Sequence, residues 1–123
     1  MGKLFKKSVL ITGAATGIGA ATVKKICNDN ISLTLTTKSN KKKLEEVADF
    51  AKQKGASVNI IYGDLSEKKF IKELVKLAKT DTGRIDQFVS NAGYANKKKF
   101  GEFKVNDLNE ALKSMALSFS DII

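Results

Sequence analysis

The stretch Ser8-Val9-Leu10-Ile11-Thr12-Gly13-Ala14-Ala15-Thr16-Gly17-Ile18-Gly19 constrains this chain more than any other. Val9 to Ile11 is a short apolar run with strand character. Gly13, Gly17 and Gly19 punctuate a tight turn, and a helix-like stretch follows from Ile18. A strand, a glycine-rich turn and a helix start in that order make an anion cradle. The first N–H groups of a helix have no internal partner, and the helix dipole adds roughly 0.3–1 kcal/mol per favourable anionic contact. Glycines let a phosphate come close to backbone that a Cβ would shield. A cofactor carrying a pyrophosphate suits such a turn. Taken alone, the same residues could simply join a strand to a helix.

The rest of the chain alternates in period. The first strand is expected over Ser8 to Thr12 and the first helix from about Thr16 to Asn28, with Ala20, Val23 and Cys27 on one face. Ile31, Leu33 and Leu35 alternate with Ser32, Thr34 and Thr36, which predicts a second strand from Ile31 to about Thr37. Ser39 or Asn40 can cap a second helix carrying Leu44, Val47, Ala48 and Ala51, which Gly55 stops. A third strand over Val58 to Tyr62 closes at Gly63-Asp64, and Ser66 can cap a third helix with Phe70, Leu74, Leu77 and Ala78 on its apolar face. Ile85 to Ser90 reads as a fourth strand and Asn96 to Gly101 as a basic loop. Asp107 with Glu110 looks like a capping box before a stripe of Leu108, Leu112, Met115 and Phe119. Strand–helix alternation predicts an α/β fold, a Rossmann-like doubly wound parallel sheet of four strands with helices on both faces. Ligand then belongs at the carboxyl ends of the strands. Thr12, Lys38, Asp64 and Asn91 all fall at or just beyond such ends.

Three motifs carry a resemblance. Thr12-Gly13-Ala14-Ala15-Thr16-Gly17-Ile18-Gly19, Gly63-Asp64-Leu65 and Ser90-Asn91-Ala92-Gly93 occur in the order and at the intervals of the short-chain dehydrogenases/reductases, and together they cover about Lys7 to Gly93. The resemblance implies strand order 3-2-1-4, binding of NAD or NADP, and hydride exchange between a nicotinamide and a carbonyl or alcohol. It implies a diphosphate site at Thr12, Gly13, Thr16, Gly17, Ile18 and Gly19. Asp64 is then expected to meet the adenine amino group and the Leu65 backbone amide the ring, although Asp64 also reads as a helix-entry residue beside Ser66. Asn91 would tie neighbouring strand ends together, with Ala92 and Gly93 leaving room for ribose. The family's Asn-Asn-Ala-Gly has Ser90 at its first position here. Asp86 also fits the family pattern, in a structural role.

At the end of the second strand a carboxylate would select the 2′-hydroxyl of NAD, and none occurs between Ile31 and Lys43. Lys38 stands about where it would be. Lys38 is either a partner for the 2′-phosphate of NADP or a solvated loop lysine, and the first reading leans the cofactor toward NADP.

The family's proton-transfer machinery is a serine, a Tyr-x-x-x-Lys pair and a helix asparagine. Tyr94-Ala95-Asn96-Lys97-Lys98 has the spelling of the pair but precedes the fourth helix, in a loop, so it is not expected to be catalytic. Met115 or Ala116 falls where the asparagine belongs. The expectation is therefore a single domain over residues 1–123 that forms the N-terminal, cofactor-binding portion of an oxidoreductase and is inactive alone. A substrate would bind only if the missing half is supplied. The alternative is a non-catalytic nucleotide-binding or regulatory piece, or a decayed gene product. An exposed fourth strand and an under-covered last helix predict self-association.

Composition removes other classes. Cys27 is the only cysteine and there is no histidine, so no internal disulfide can form and no zinc or haem site is expected. Net charge is +9, yet Arg84 is the only arginine and the lysines fall on the polar sides of helices, which argues for solvated faces and against a specific nucleic-acid site. The run Val9-Leu10-Ile11 is too short for a signal peptide, Lys6 breaks a myristoylation signal, and no stretch approaches a membrane span. A cytoplasmic location is expected.

Overall fold

The computed structural model describes Phe5, residues 7–93, Gly101, Glu102 and residues 104–123. Strands β1 (Lys7–Thr12), β2 (Ile31–Thr37), β3 (Ser57–Tyr62) and β4 (Gln87–Val89) alternate with helices α1 (Gly17–Ile26), α2 (Lys41–Gln53) and α3 (Lys68–Ala78). A last helical run contains α4 (Val105–Ala111), a π-helical stretch (Leu112–Leu117) and α5 (Ser118–Ile122). Its backbone stays right-handed helical at Ala111, Leu112, Leu117 and Ser118, so the run is one continuous helix, the last of the expected four. All strand pairs are parallel, in the order β3-β2-β1-β4, as the alternating pattern and the family resemblance implied.

The sheet is covered on both faces. Val9, Ile11, Leu33 and Leu35 point to α1 and α2, and pack with Val23, Leu44, Val47 and Ala51. Leu10 points the other way, to Phe70, Ile71 and Leu74 of α3 and, through Phe88, to the last helix. There Phe119 of α5 stacks on Phe88 with ring centroids 5.5 Å apart. Parallel strands require crossover helices, and helices on both faces bury both sides of the strands. This accounts for the main departure from the alternating pattern of β2. All seven of its residues are buried, polar Ser32, Thr34 and Thr36 included.

Three local expectations are corrected. Ser66 does not cap α3. Its N–H donates to the Asp64 carboxylate at 2.9 Å, and the helix starts after Glu67. The ladder of β4 is shorter than Ile85 to Ser90, because Asp86 meets β1 partly through its side chain. Its carboxylate accepts the Ser8 N–H at 2.7 Å and its own N–H donates to the Ser8 carbonyl at 2.9 Å. Asp107 lies inside α4 instead of starting it, and accepts the Lys104 N–H at 2.8 Å. The expected basic loop lies mostly outside the described residues, as does Tyr94-Ala95-Asn96-Lys97-Lys98.

Candidate functional site

A cleft of about 450 Å³ runs along the carboxyl ends of the strands. One wall is the turn from β1 into α1. Gly13 and Gly17 adopt φ of +64° and +56°, the left-handed region that glycine enters without strain. Gly19 is needed for a different reason: a Cβ there would collide with the Gly13 carbonyl oxygen. The helix start can therefore lie against the turn. Thr16 makes no side-chain cap and the first turn of α1 has no acidic residue, so the opening N–H groups of the helix are left for a ligand.

The opposite wall follows β4. Asn91 and Ala92 donate their backbone N–H groups to the Thr12 hydroxyl, both at 3.1 Å, and the Asn91 side-chain amide donates to the Gly13 carbonyl at 3.0 Å. Thr12 and Asn91 thus fasten the ends of β1 and β4 to each other. Approach is close enough that a Cβ on Gly13 would lie 2.9 Å from Ala92 Cα. Beyond Ala92, Gly93 faces the last helix, and a Cβ there would lie 3.0 Å from Met115 Sδ.

The far end of the cleft lies beyond β2 and β3. Lys38 Nζ is 3.3 Å from Asp64 Oδ2, while Asp64 Oδ1 takes the Ser66 N–H. The Ser66 bond foremost, then the Lys38 ammonium, outweigh burial and hold the Asp64 carboxyl below its ordinary range. Asn40 stands at the start of α2 without capping it, and the first turn of that helix has no acidic residue either.

Of the residues singled out from the sequence, Gly13, Thr16, Gly17, Ile18, Lys38, Asp64, Leu65, Asn91, Ala92 and Gly93 line this one cleft. Thr12 and Gly19 stand behind its wall, where they shape the backbone. Ala15, Thr36, Thr37, Ser39, Asn40 and Gly63 line it too, though none is among the expected binding residues. Each adjoins a strand end or the glycine turn, which was the available signal. The Lys38–Asp64 ion pair joins two residues to which the sequence assigns separate roles. Among the described residues no group of three or more His, Cys, Asp or Glu side chains could hold a metal, and no helix is long and apolar enough to cross a membrane.

A family model described as short chain dehydrogenase matches residues 7–120. The chain belongs to the short-chain dehydrogenase/reductase family. Among curated members of this family, a 7alpha-hydroxysteroid dehydrogenase of Bacteroides fragilis is 29% identical over 98% of this chain and 46% of its own length. A diacetyl reductase [(S)-acetoin forming] of Staphylococcus epidermidis is 37% identical over 71% of this chain and 34% of its own. Among solved structures, a Serratia marcescens short-chain dehydrogenase/reductase superposes with a TM-score of 0.86 at 26% identity, covering 97% of this chain and 49% of that one. A Burkholderia cenocepacia short chain dehydrogenase in complex with NADP gives 0.88 at 21% identity, covering 98% and 49%. This short-chain dehydrogenase/reductase chain therefore spans less than half the length of these relatives.

Proposed function

We propose that this chain is one domain, the portion of an NAD(P)-dependent short-chain oxidoreductase that binds the dinucleotide, and that it prefers NADP. The observation that carries the reading is the uncapped start of α1, set against a glycine turn at the mouth of a cleft that gathers four strand ends. The residues fit such a guest. The diphosphate would lie over Gly13 to Gly19, against the open amides of α1. Asp64 and the Leu65 backbone would take the adenine, Lys38 and the open start of α2 a 2′-phosphate, and Asn91 to Gly93 the ribose on the nicotinamide side. The preference for NADP is supported by Lys38 and by the absence of any acidic residue between Ile31 and Lys43. A Burkholderia relative of the same fold was solved with NADP.

When bound, the nicotinamide would supply hydride exchange with a carbonyl or alcohol. The chain's own residues bind and orient. Proton transfer falls to a tyrosine–lysine pair of the kind the family uses, which we do not assign to Tyr94 and Lys98. Met115, whose sulfur lies beside Gly93, or its neighbour Ala116 would fall where the family's asparagine holds water, and neither side chain can do so. That favours binding without turnover by this chain on its own, and keeps a regulatory, cofactor-sensing role as the second reading.

Thermal unfolding with each dinucleotide tests the proposal. NADP at roughly 100 times its dissociation constant should stabilise the fold by about 2.7 kcal/mol, several degrees in Tm, and NAD at the same concentration by less. Unchanged melting with both would refute dinucleotide binding. Equal shifts would remove the preference. Alcohol oxidation by the purified chain would overturn the binding-only reading.

A further inference from the structure

Lys38 and Asp64 come from different strand ends, yet they meet in the cleft. The Asp64 carboxylate is already engaged on both oxygens: Oδ1 takes the Ser66 N–H at 2.9 Å and Oδ2 faces Lys38 Nζ at 3.3 Å. The Lys38 side chain is 74% exposed and that of Asp64 only 29%, so the lysine is the member free to swing away. The ammonium faces Oδ2, so an adenine amino group approaching that oxygen meets a competing donor.

We infer that the Lys38–Asp64 ion pair is a specificity latch that a 2′-phosphate opens. A phosphate near Lys38 competes for the ammonium with more charge than one carboxylate offers, and with more acceptor oxygens. Drawing Lys38 aside exposes Oδ2 to the adenine amino group. The two subsites are thereby coupled: a dinucleotide with a 2′-phosphate unlocks its own adenine contact. NAD must instead break the pair with nothing to offer the lysine, so it is selected against at Asp64 as well as at Lys38. This inference rests on the dinucleotide reading above and adds the mechanism of selection.

Calorimetric titration of the full chain with NAD and with NADP tests it, using wild type, Lys38→Met, Asp64→Asn and the double variant. Lys38 is exposed, and Asn keeps an acceptor for Ser66, so the fold is retained. The latch predicts that Lys38→Met binds NAD about two- to fivefold more tightly than wild type does, the scale of an exposed ion pair. It should bind NADP about tenfold or more weakly. In the Asp64→Asn background the same lysine change should no longer improve NAD binding, because there is no carboxylate to release. If wild type binds a dinucleotide but Lys38→Met leaves NAD affinity unchanged or lowers it, the latch is wrong and the dinucleotide reading stands. An equal gain in the Asp64→Asn background also refutes it. If wild type binds neither dinucleotide, both ideas fall together.

Discussion

At the end of β1, the Thr12 hydroxyl accepts two backbone N–H groups, from Asn91 and Ala92, and so one oxygen fixes the spacing between two strand tips. Thr12 is 1% exposed, so water cannot easily replace that oxygen. Thr12→Val keeps the shape and deletes the acceptor. It should destabilise the fold by about 1–3 kcal/mol, the cost of stranding buried donors, read as a lower urea midpoint. Thr12→Ser keeps the oxygen and should recover most of the loss. If the two variants prove equally stable, the hydroxyl does not hold the strand tips. Asn91 works beside Thr12 by donating to the Gly13 carbonyl. Both residues were legible in the sequence as strand-end positions, because a strand end is a local feature. Their mutual bonding was not, since 78 to 80 residues separate the partners.

The elements are tied at the amino ends of the strands by Asp81, in the turn after α3. Its Oδ2 accepts the Ser32 and Ser57 hydroxyls at 2.8 Å each and the Asn59 amide at 3.2 Å, joining β2 and β3 to that turn. Burial pushes the Asp81 carboxyl up, and the three hydrogen bonds together outweigh it, so the group titrates below its ordinary range. A carboxyl depressed in the folded state adds stability above its unfolded pKa, near 4, that is lost as pH falls through the folded value. Wild type should therefore lose more of its urea midpoint between about pH 4 and pH 2 than Asp81→Asn does. Parallel loss in both proteins would mean the cluster is unimportant. From the sequence, Thr80 to Gly83 reads only as a turn. The serines and the asparagine share one face of β2 and β3, because Ser32 pairs with Ser57 and Thr34 with Asn59. Crossover helix α3 covers that face, and the Thr34 and Thr36 hydroxyls on it have no hydrogen-bond partner among the described residues.

Over the whole molecule, charge and apolar surface oppose each other. Leu108, Leu117 and Phe119 are 50%, 54% and 43% exposed along the last helix, joined by Val105, Leu112 and Ile123. Such a strip of exposed apolar side chains, Leu108 and Leu112 foremost, favours association, while a net charge of +9 resists it. Raising the salt screens the repulsion and leaves the apolar gain, so sedimentation should give a larger mass at higher salt and higher protein concentration. Leu108→Glu with Leu112→Glu should weaken that association by about tenfold or more. A mass independent of both variables would rule the strip out as a contact. Association through lysines and a polyanion would show the reverse salt dependence.

Whatever depends on neighbours along the chain is legible in the residues alone. The glycine turn, the alternation of strand and helix periods and the charge near Lys38 are all local, and from them follow the parallel sheet and the rim of strand ends. Tertiary structure alone decided what depends on chain segments far apart. It put Lys38 against Asp64, Thr12 under Asn91, Asp81 across two strands, and α3 over the polar side of β2. Such pairings follow from how helices cross a twisted sheet, and a period-2 pattern cannot report what will later be laid on top of it.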